Sequence, residues 1–236
     1  MKITAKVKKF FRKRYARLAG PAHFRAYLAR SKTPRLHLGC GVRVLEGWLN
    51  TDFFADPARD IIFQDLTRPF PCPDRCFDLV YSEHVQEHFE YQAGKLILSE
   101  CYRVLRPGGV LSLATPDLDF YLRLYQQRAA LDEKQRGFFR YFLETFDDFR
   151  GYPGNTVSAL NGIFYGFGHR FIFSEDCLVE TLREAGFREV KKVQAGVSAY
   201  AELSGLELNP QFRNDAAGNN ALEYHLMANL SVEARK

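Results

Sequence analysis

From Arg35 onward the sequence alternates short apolar runs of strand length with segments of helical period, and that alternation limits the fold more than any other feature. Strands separated by helices are joined by crossovers and lie parallel in one sheet, so the expected class is α/β. Arg35–Leu38, Trp48–Thr51, Ile61–Gln64, Phe77–Ser82 and Val110–Ala114 read as strands, and Glu189–Gln194 and Leu226–Val232 complete the sheet. Tyr91–Leu105 is the clearest crossover helix. Its Leu96, Ile97, Glu100, Cys101, Val104 and Leu105 read as one buried stripe, and Pro107-Gly108-Gly109 stops it.

The segments outside this alternation read differently. Residues 1–34 form a basic helical extension: Ile3, Val7, Phe10, Phe11, Tyr15 and Leu18 keep helical spacing among eight lysines and arginines, and Gly20-Pro21 ends the run. A second short helix is expected at His23–Ala29. No acidic residue precedes Glu46, whereas thirteen basic residues do; the net charge of +5 therefore combines a basic start with a body at about −8. Residues 35–236 make one domain, interrupted at 117–168. There, Asp117–Phe149 reads as helical and aromatic-rich, suited to a lid, a dimer face or core, and Gly151–Gly168, with five glycines, reads as a loop. Ser174 and Gly186 bracket a further helix as N-cap and C′ residues. Gly205–Ala221 reads as a polar surface excursion.

Leu36-His37-Leu38-Gly39-Cys40-Gly41 is a strand running into a glycine turn, where the missing Cβ atoms let a ligand approach the backbone. In an open parallel sheet, ligands bind beyond the carboxyl ends of the strands, where this turn lies. A dinucleotide fingerprint would need a small residue in place of Val44, and an acidic residue about 20 positions on; Asp52 comes only eleven after Gly41. No Gly-Lys-Ser/Thr follows, which excludes a phosphate-binding loop of the nucleotide hydrolases. A nucleoside-type ligand without a pyrophosphate remains, with Asp52 placed for ribose hydroxyls.

The ordered runs LHLGCG, GWLNTD, QDLTRPFP, FDLVYSEHVQEH, ECYRVLRPGG and ATPDL resemble the class I S-adenosylmethionine-dependent methyltransferases, closely over Arg35–Asp117; GHRFIFSEDCLVETLREAGF extends the likeness to Phe187. Within that family they are similar to a bacterial subgroup associated with surface-polysaccharide and other glycan biosynthesis. The resemblance implies a Rossmann-like, seven-stranded, mostly parallel sheet with a reversed last strand and helices on both faces. It places Gly39, Cys40 and Gly41 at the methionine end of the cofactor, Asp52 at the ribose, Asp65 and Leu66 at the adenine edge, and Ser82 beside the cofactor. The span between Gly41 and Trp48 leaves room for one helical turn at most.

Ser82-Glu83-His84-Val85-Gln86-Glu87-His88 follows the fourth strand. If a helix starts there, His84 and His88 share a face with Glu87 beside them. Methyl transfer to a hydroxyl chiefly requires alignment and removal of one proton, and histidine suits that proton. The ubiquinone-pathway and small-RNA 2′-O-methyltransferases carry Glu-x-x-Glu-His here and bind a divalent cation with a downstream histidine. By that likeness His84, Glu87, His88 and His169 are the candidate metal set, with a histidine in place of the first carboxylate. Three readings stay open: a cation site, a general base without metal, and a helix start whose histidines pack or cap. Asp117, Tyr152, Tyr165 and Arg170 are acceptor-binding candidates by position alone.

The leading expectation is O-methylation of a sugar hydroxyl in a glycan or its precursor, with S-adenosylmethionine as cofactor. The alternatives are a small-molecule O- or N-methyltransferase of secondary metabolism, a nucleic-acid methyltransferase and a non-catalytic binding module. The acidic body argues against nucleic acid, and the intact glycine turn and acidic positions argue against the last. Five cysteines, an odd number, fit a reducing cytoplasmic setting; Cys72 and Cys76 lack the second pair of a zinc-finger spacing. Residues 1–20 suit peripheral contact with the inner membrane face, or docking on the domain or on a second copy in a homodimer.

Overall fold

The computed structural model describes residues 19–145, 151–208 and 221–236. The expected helix at residues 3–18 lies outside them, as does most of the Gly205–Ala221 excursion. Seven strands, β1 (Arg35–Leu38), β2 (Leu49–Asp52), β3 (Ile62–Phe63), β4 (Phe77–Glu83), β5 (Leu105–Pro116), β6 (Glu189–Val193) and β7 (Asn229–Arg235), form one sheet in the order β3-β2-β1-β4-β5-β7-β6. Strands β1 to β5 are mutually parallel, and β7 runs antiparallel to both neighbours. The reversal falls on the last strand, as the resemblance implied.

Helix α1 covers residues 19–30, followed by α2 (Tyr91–Val104), α3 (Leu118–Gln126), α4 (Glu133–Thr145), α5 (Thr156–Tyr165), α6 (Glu175–Glu184) and α7 (Ala221–Met227). On one face of the sheet, Phe24 of α1, Ile97 and Leu98 of α2 and Leu178 and Leu182 of α6 pack on Leu36, Val80, Leu111 and Val232. The opposite face is covered around Trp48, Tyr81 and Leu203. A separate aromatic cluster, including Phe120, Tyr121, Phe138, Phe142 and Ile163, ties α3, α4 and α5 together beyond the strand ends. Among the described residues, no helix is long and apolar enough to cross a membrane. All five cysteines are free thiols.

Two local expectations are corrected. Gly151–Gly168 is not a loop throughout, because Asn155 caps α5 by accepting the Ser158 N–H. The buried side of α5 is made of Thr156, Ser158, Ala159, Gly162 and Ile163, which are too small to give a strong apolar period. Within Asp117–Phe149 the described residues are helical as read, in two pieces: α3 ends at Gln126 and α4 begins at Glu133. The run from Ser82 to His88 is not a helix start: β4 continues to Glu83, and His84 takes a left-handed φ of 51° while donating its N–H to Ala114. Only Gln86–His88 then forms a single 3-10 turn, so His84 and His88 do not share a helical face. Ser174 does sit at the N-terminus of α6, but its hydroxyl bonds Asp176 and not the helix backbone.

Candidate active site at the carboxyl ends of the strands

A cavity of about 630 Å3 opens beyond the carboxyl ends of β1, β4 and β5. The glycine turn forms one wall, the Glu83–His88 segment the middle, and α4, α5 and α7 the far side. The turn has the predicted backbone: φ is 60° at Gly39 and 54° at Gly41, a region that side-chain-bearing residues avoid. A Cβ on Gly39 would lie 2.4 Å from Val85 Cγ2, whereas one on Gly41 would meet nothing within 4 Å. Gly39 is therefore closed from behind and Gly41 is open in front.

Asp52 braces this turn, accepting the Gly41 N–H at 2.9 Å and the Phe54 N–H at 2.7 Å. Its position at the end of β2 is the one expected for a ribose partner, and a carboxylate oxygen retains acceptor capacity after one such bond. Phe53 follows directly, packing edge-on to Phe54 and against Phe63. This aromatic ledge suits a nucleobase; the signal available in the sequence was Phe-Phe directly after the acidic residue. Asp65 accepts the N–H and hydroxyl of Thr67 and lies 3.5 Å from Arg68, while Leu66 packs on the main core. Ser82 is buried in β4 between β1 and β5. Cys40 lines the cavity as a neutral thiol, since burial pushes its pKa up to about 12.

The histidine–carboxylate region resolves into two groups. In the first, the Glu83 carboxylate receives Arg43 Nη1 and the Tyr81 hydroxyl, each at 3.0 Å, and lies 3.4 Å from His225 Nε2. The His84 ring stands 4.9 Å from that of His225. In the second, the wholly buried Glu87 accepts Thr115 Oγ1 at 3.1 Å and lies 2.8 Å from His84 Nδ1, while the His88 and His169 rings are 5.1 Å apart. His169 Nδ1 lies 2.7 Å from the Ile163 carbonyl. The Glu87 carbonyl accepts the N–H groups of Arg170 and Phe171, so it pins the Gly168-His169 segment to the Gln86–His88 turn.

These contacts set the protonation states. Burial lowers the His169 pKa more than its carbonyl bond raises it, so the ring is neutral near pH 7. Because a carbonyl only accepts, Nδ1 carries the proton and Nε2 keeps the lone pair. Burial would also lower His84, but Glu87 and Glu83 hold it above the usual imidazole range. Burial would raise Glu87, but His84 and the backbone hold its carboxyl down.

Of the metal set implied by resemblance, Glu87, His88 and His169 bring ligand atoms within 4.8 Å of one another. His84 is not part of that group. The four-residue site therefore does not form as expected. The structure also leaves the acceptor candidates outside the cavity. Asp117 caps α3 by accepting the Asp119 N–H and faces Arg123 and Lys192. Tyr152, Tyr165 and Arg170 are exposed and do not line it. In their place stand Tyr121, Phe138, Tyr141, Phe142, Phe167 and Tyr224, which sequence reasoning assigned to core, lid or loop, or passed over.

The decisive comparison is with protein families: residues 48–113 match the model described as "Methyltransferase domain". The match covers 66 of the 236 residues. A protein of Mycolicibacterium smegmatis named "Probable S-adenosylmethionine-dependent methyltransferase" is 35% identical over 103 residues, covering 35% of this chain and 37% of that protein. The chain thus aligns with little more than a third of that relative's length. Among solved structures, a SAM-dependent methyltransferase from Archaeoglobus fulgidus aligns over 94% of both chains at 15% identity and a TM-score of 0.46. One from Mesorhizobium loti aligns over 93% of this chain and 100% of its own, at 19% identity and a TM-score of 0.46. The matched segment runs from the residue before β2 into β5, and so contains Asp52, Glu83, His84, Glu87 and His88.

Proposed function

We propose that this chain is an S-adenosylmethionine-dependent O-methyltransferase whose general base is His169. The observation that carries the base assignment is the Ile163 carbonyl on His169 Nδ1, which leaves a neutral Nε2 at the cavity wall, beyond the strand ends that also carry the glycine turn. The glycine turn, Asp52 and the Phe53 ledge would hold the cofactor's methionine, ribose and base. The cofactor supplies an electrophilic methyl on a sulfonium. The chain's own residues align an acceptor oxygen with that methyl, exclude water and accept the hydroxyl proton at His169 Nε2. His84, whose Nδ1 is engaged by Glu87, is the poorer base of the two.

For the acceptor, the aromatic wall favours a small molecule with an apolar or aromatic body. A sugar brings several hydroxyls, and each one buried without a partner costs about 1–3 kcal/mol. The glycan reading keeps one support: the Tyr141 and Tyr224 rings, 5.7 Å apart, offer faces and hydroxyls of the kind that pack on a sugar ring. Incubation with methyl-labelled cofactor and a panel of phenols, apolar alcohols, nucleotide-sugars and glycolipids separates the two, with label expected in the first two classes. His169→Gln should lower kcat at least 100-fold while the calorimetric Kd for S-adenosylhomocysteine is unchanged. A kcat within threefold of the parent removes His169 as base, and no saturable cofactor binding removes the whole reading.

A further inference from the structure

The geometry points to a second ligand site in the same cavity: Glu83, His84 and His225 form a binding site for a divalent transition-metal ion, of the zinc or ferrous class. One ligand atom from each lies within 4.8 Å of the others, and all three residues line the cavity. This group shares only His84 with the four residues suggested by the sequence motif, and it recruits an imidazole 142 residues away from Glu83.

Four observations support it. First, His84 Nε2 is shielded from solvent and has no hydrogen-bond partner, an expensive condition for a polar atom unless something binds there. Second, the Glu83 Oε1 to His225 Nε2 distance of 3.4 Å is long for a hydrogen bond. It equals the ligand–ligand edge of a tetrahedral site, about 3.4 Å for bonds of about 2.0–2.1 Å. Third, the outer partners are those of a metal centre. Glu87 lies on His84 Nδ1 and is itself held by Thr115, and Arg43 and Tyr81 hold the other Glu83 oxygen. A carboxylate behind a histidine fixes the ring so that its far nitrogen faces the metal. Fourth, His84 is kept at a positive φ of 51°, a strained conformation that survives where surrounding structure demands it.

Two imidazoles and one carboxylate oxygen suit zinc or ferrous ions better than magnesium or calcium, which prefer all-oxygen shells. Three protein ligands leave a coordination position for an acceptor oxygen or water. The assignment stands apart from the methyl-transfer reading, because metal binding is read without turnover.

The test uses the purified full-length chain, stripped with chelator and titrated with ZnCl2 and CoCl2. About one equivalent of Zn2+ should bind, and Co2+ should give the intense visible absorption of a four- or five-coordinate site. His225→Ala and Glu83→Gln should each weaken Zn2+ at least tenfold, and His88→Ala should leave it unchanged. No saturable binding overturns the site. So does binding lost in His88→Ala but kept in His225→Ala, which would place the ion at Glu87, His88 and His169. Long-range 1H–15N spectra of the unmutated chain answer the same question if a variant does not fold: Zn2+ must move the ring nitrogens of His84 and His225, and movement confined to His88 and His169 overturns the assignment.

Discussion

His37 lies under the cavity with 3% of its surface exposed, 3.0 Å from Asn50 Oδ1 and with its ring 5.3 Å from that of Tyr81. The Asn50 amide is oriented by its bonds to the backbone of Leu45 and Trp48, so Oδ1 faces the imidazole and accepts from it. Burial, more than the nearby Arg43, lowers the His37 pKa from 6.5 to about 4. The unfolded chain therefore binds the extra proton first as pH falls. The stability of the neutral ring is fully present above pH 6.5 and is lost between 6.5 and about 4, a total of about 3 kcal/mol. Denaturant melts of the parent and His37→Gln should differ by that much in their pH 7 to pH 4 slopes; parallel slopes would show that His37 protonates without strain. Gly39 gives a second residue-scale expectation. A side chain there is strained by φ and collides with Val85, so Gly39→Ala should cost about 1–3 kcal/mol of stability and weaken S-adenosylhomocysteine at least tenfold by calorimetry. Unchanged affinity would mean that the turn does not form the cofactor wall.

Helices α4 and α7 meet through the Lys134–Glu223 ion pair, the Tyr141 and Tyr224 rings, and a close approach at Gly137. A Cβ on Gly137 would lie 2.1 Å from the Tyr224 hydroxyl and 2.8 Å from its ring carbon. The hydroxyl is the far end of a mobile side chain, so Gly137→Ala should displace Tyr224 more than it unfolds α4. The expected outcome is a melting temperature within a few degrees of the parent and an acceptor KM raised at least fivefold, with cofactor Kd unchanged. An unchanged KM would show that α7 does not shape the acceptor wall. This element also marks where sequence reading stopped. The strands and the glycine turn were legible because apolar runs bounded by Gly and Pro carry a local signal, visible in Leu36, Leu38 and Gly39. Helix α5 was not, because Ala159 and Gly162 bury well without contributing an apolar period. The pairing of Glu83 with His225 had no local signal at all: it depends on α7 delivering an imidazole to the end of β4. His84 and His88 were legible as chemistry but not as geometry, because the left-handed turn at His84 sends their side chains to different partners.

Over the whole molecule, the charge is divided by position along the chain. The eight lysines and arginines from Lys2 to Arg17 have no acidic residue among them, whereas the chain beyond Arg43 is net acidic. The described ion pairs of the domain are largely local or join neighbouring elements, as with Arg103 to Glu100 and Asp74, and Arg106 to Asp78. An unbalanced basic segment ahead of a self-paired domain is suited to an anionic surface, and each basic residue near such a surface contributes about 1 kcal/mol at physiological salt. If residues 1–18 serve that role, the full chain floats with phosphatidylglycerol-rich vesicles at low salt and is released at about 0.5 M salt, where the Debye length falls to a few ångströms. A chain lacking residues 1–18 should stay in solution and keep its methylation rate on a water-soluble acceptor. Equal flotation of the two chains would remove the surface role. A parallel loss of rate in solution would show instead that the segment completes the catalytic domain.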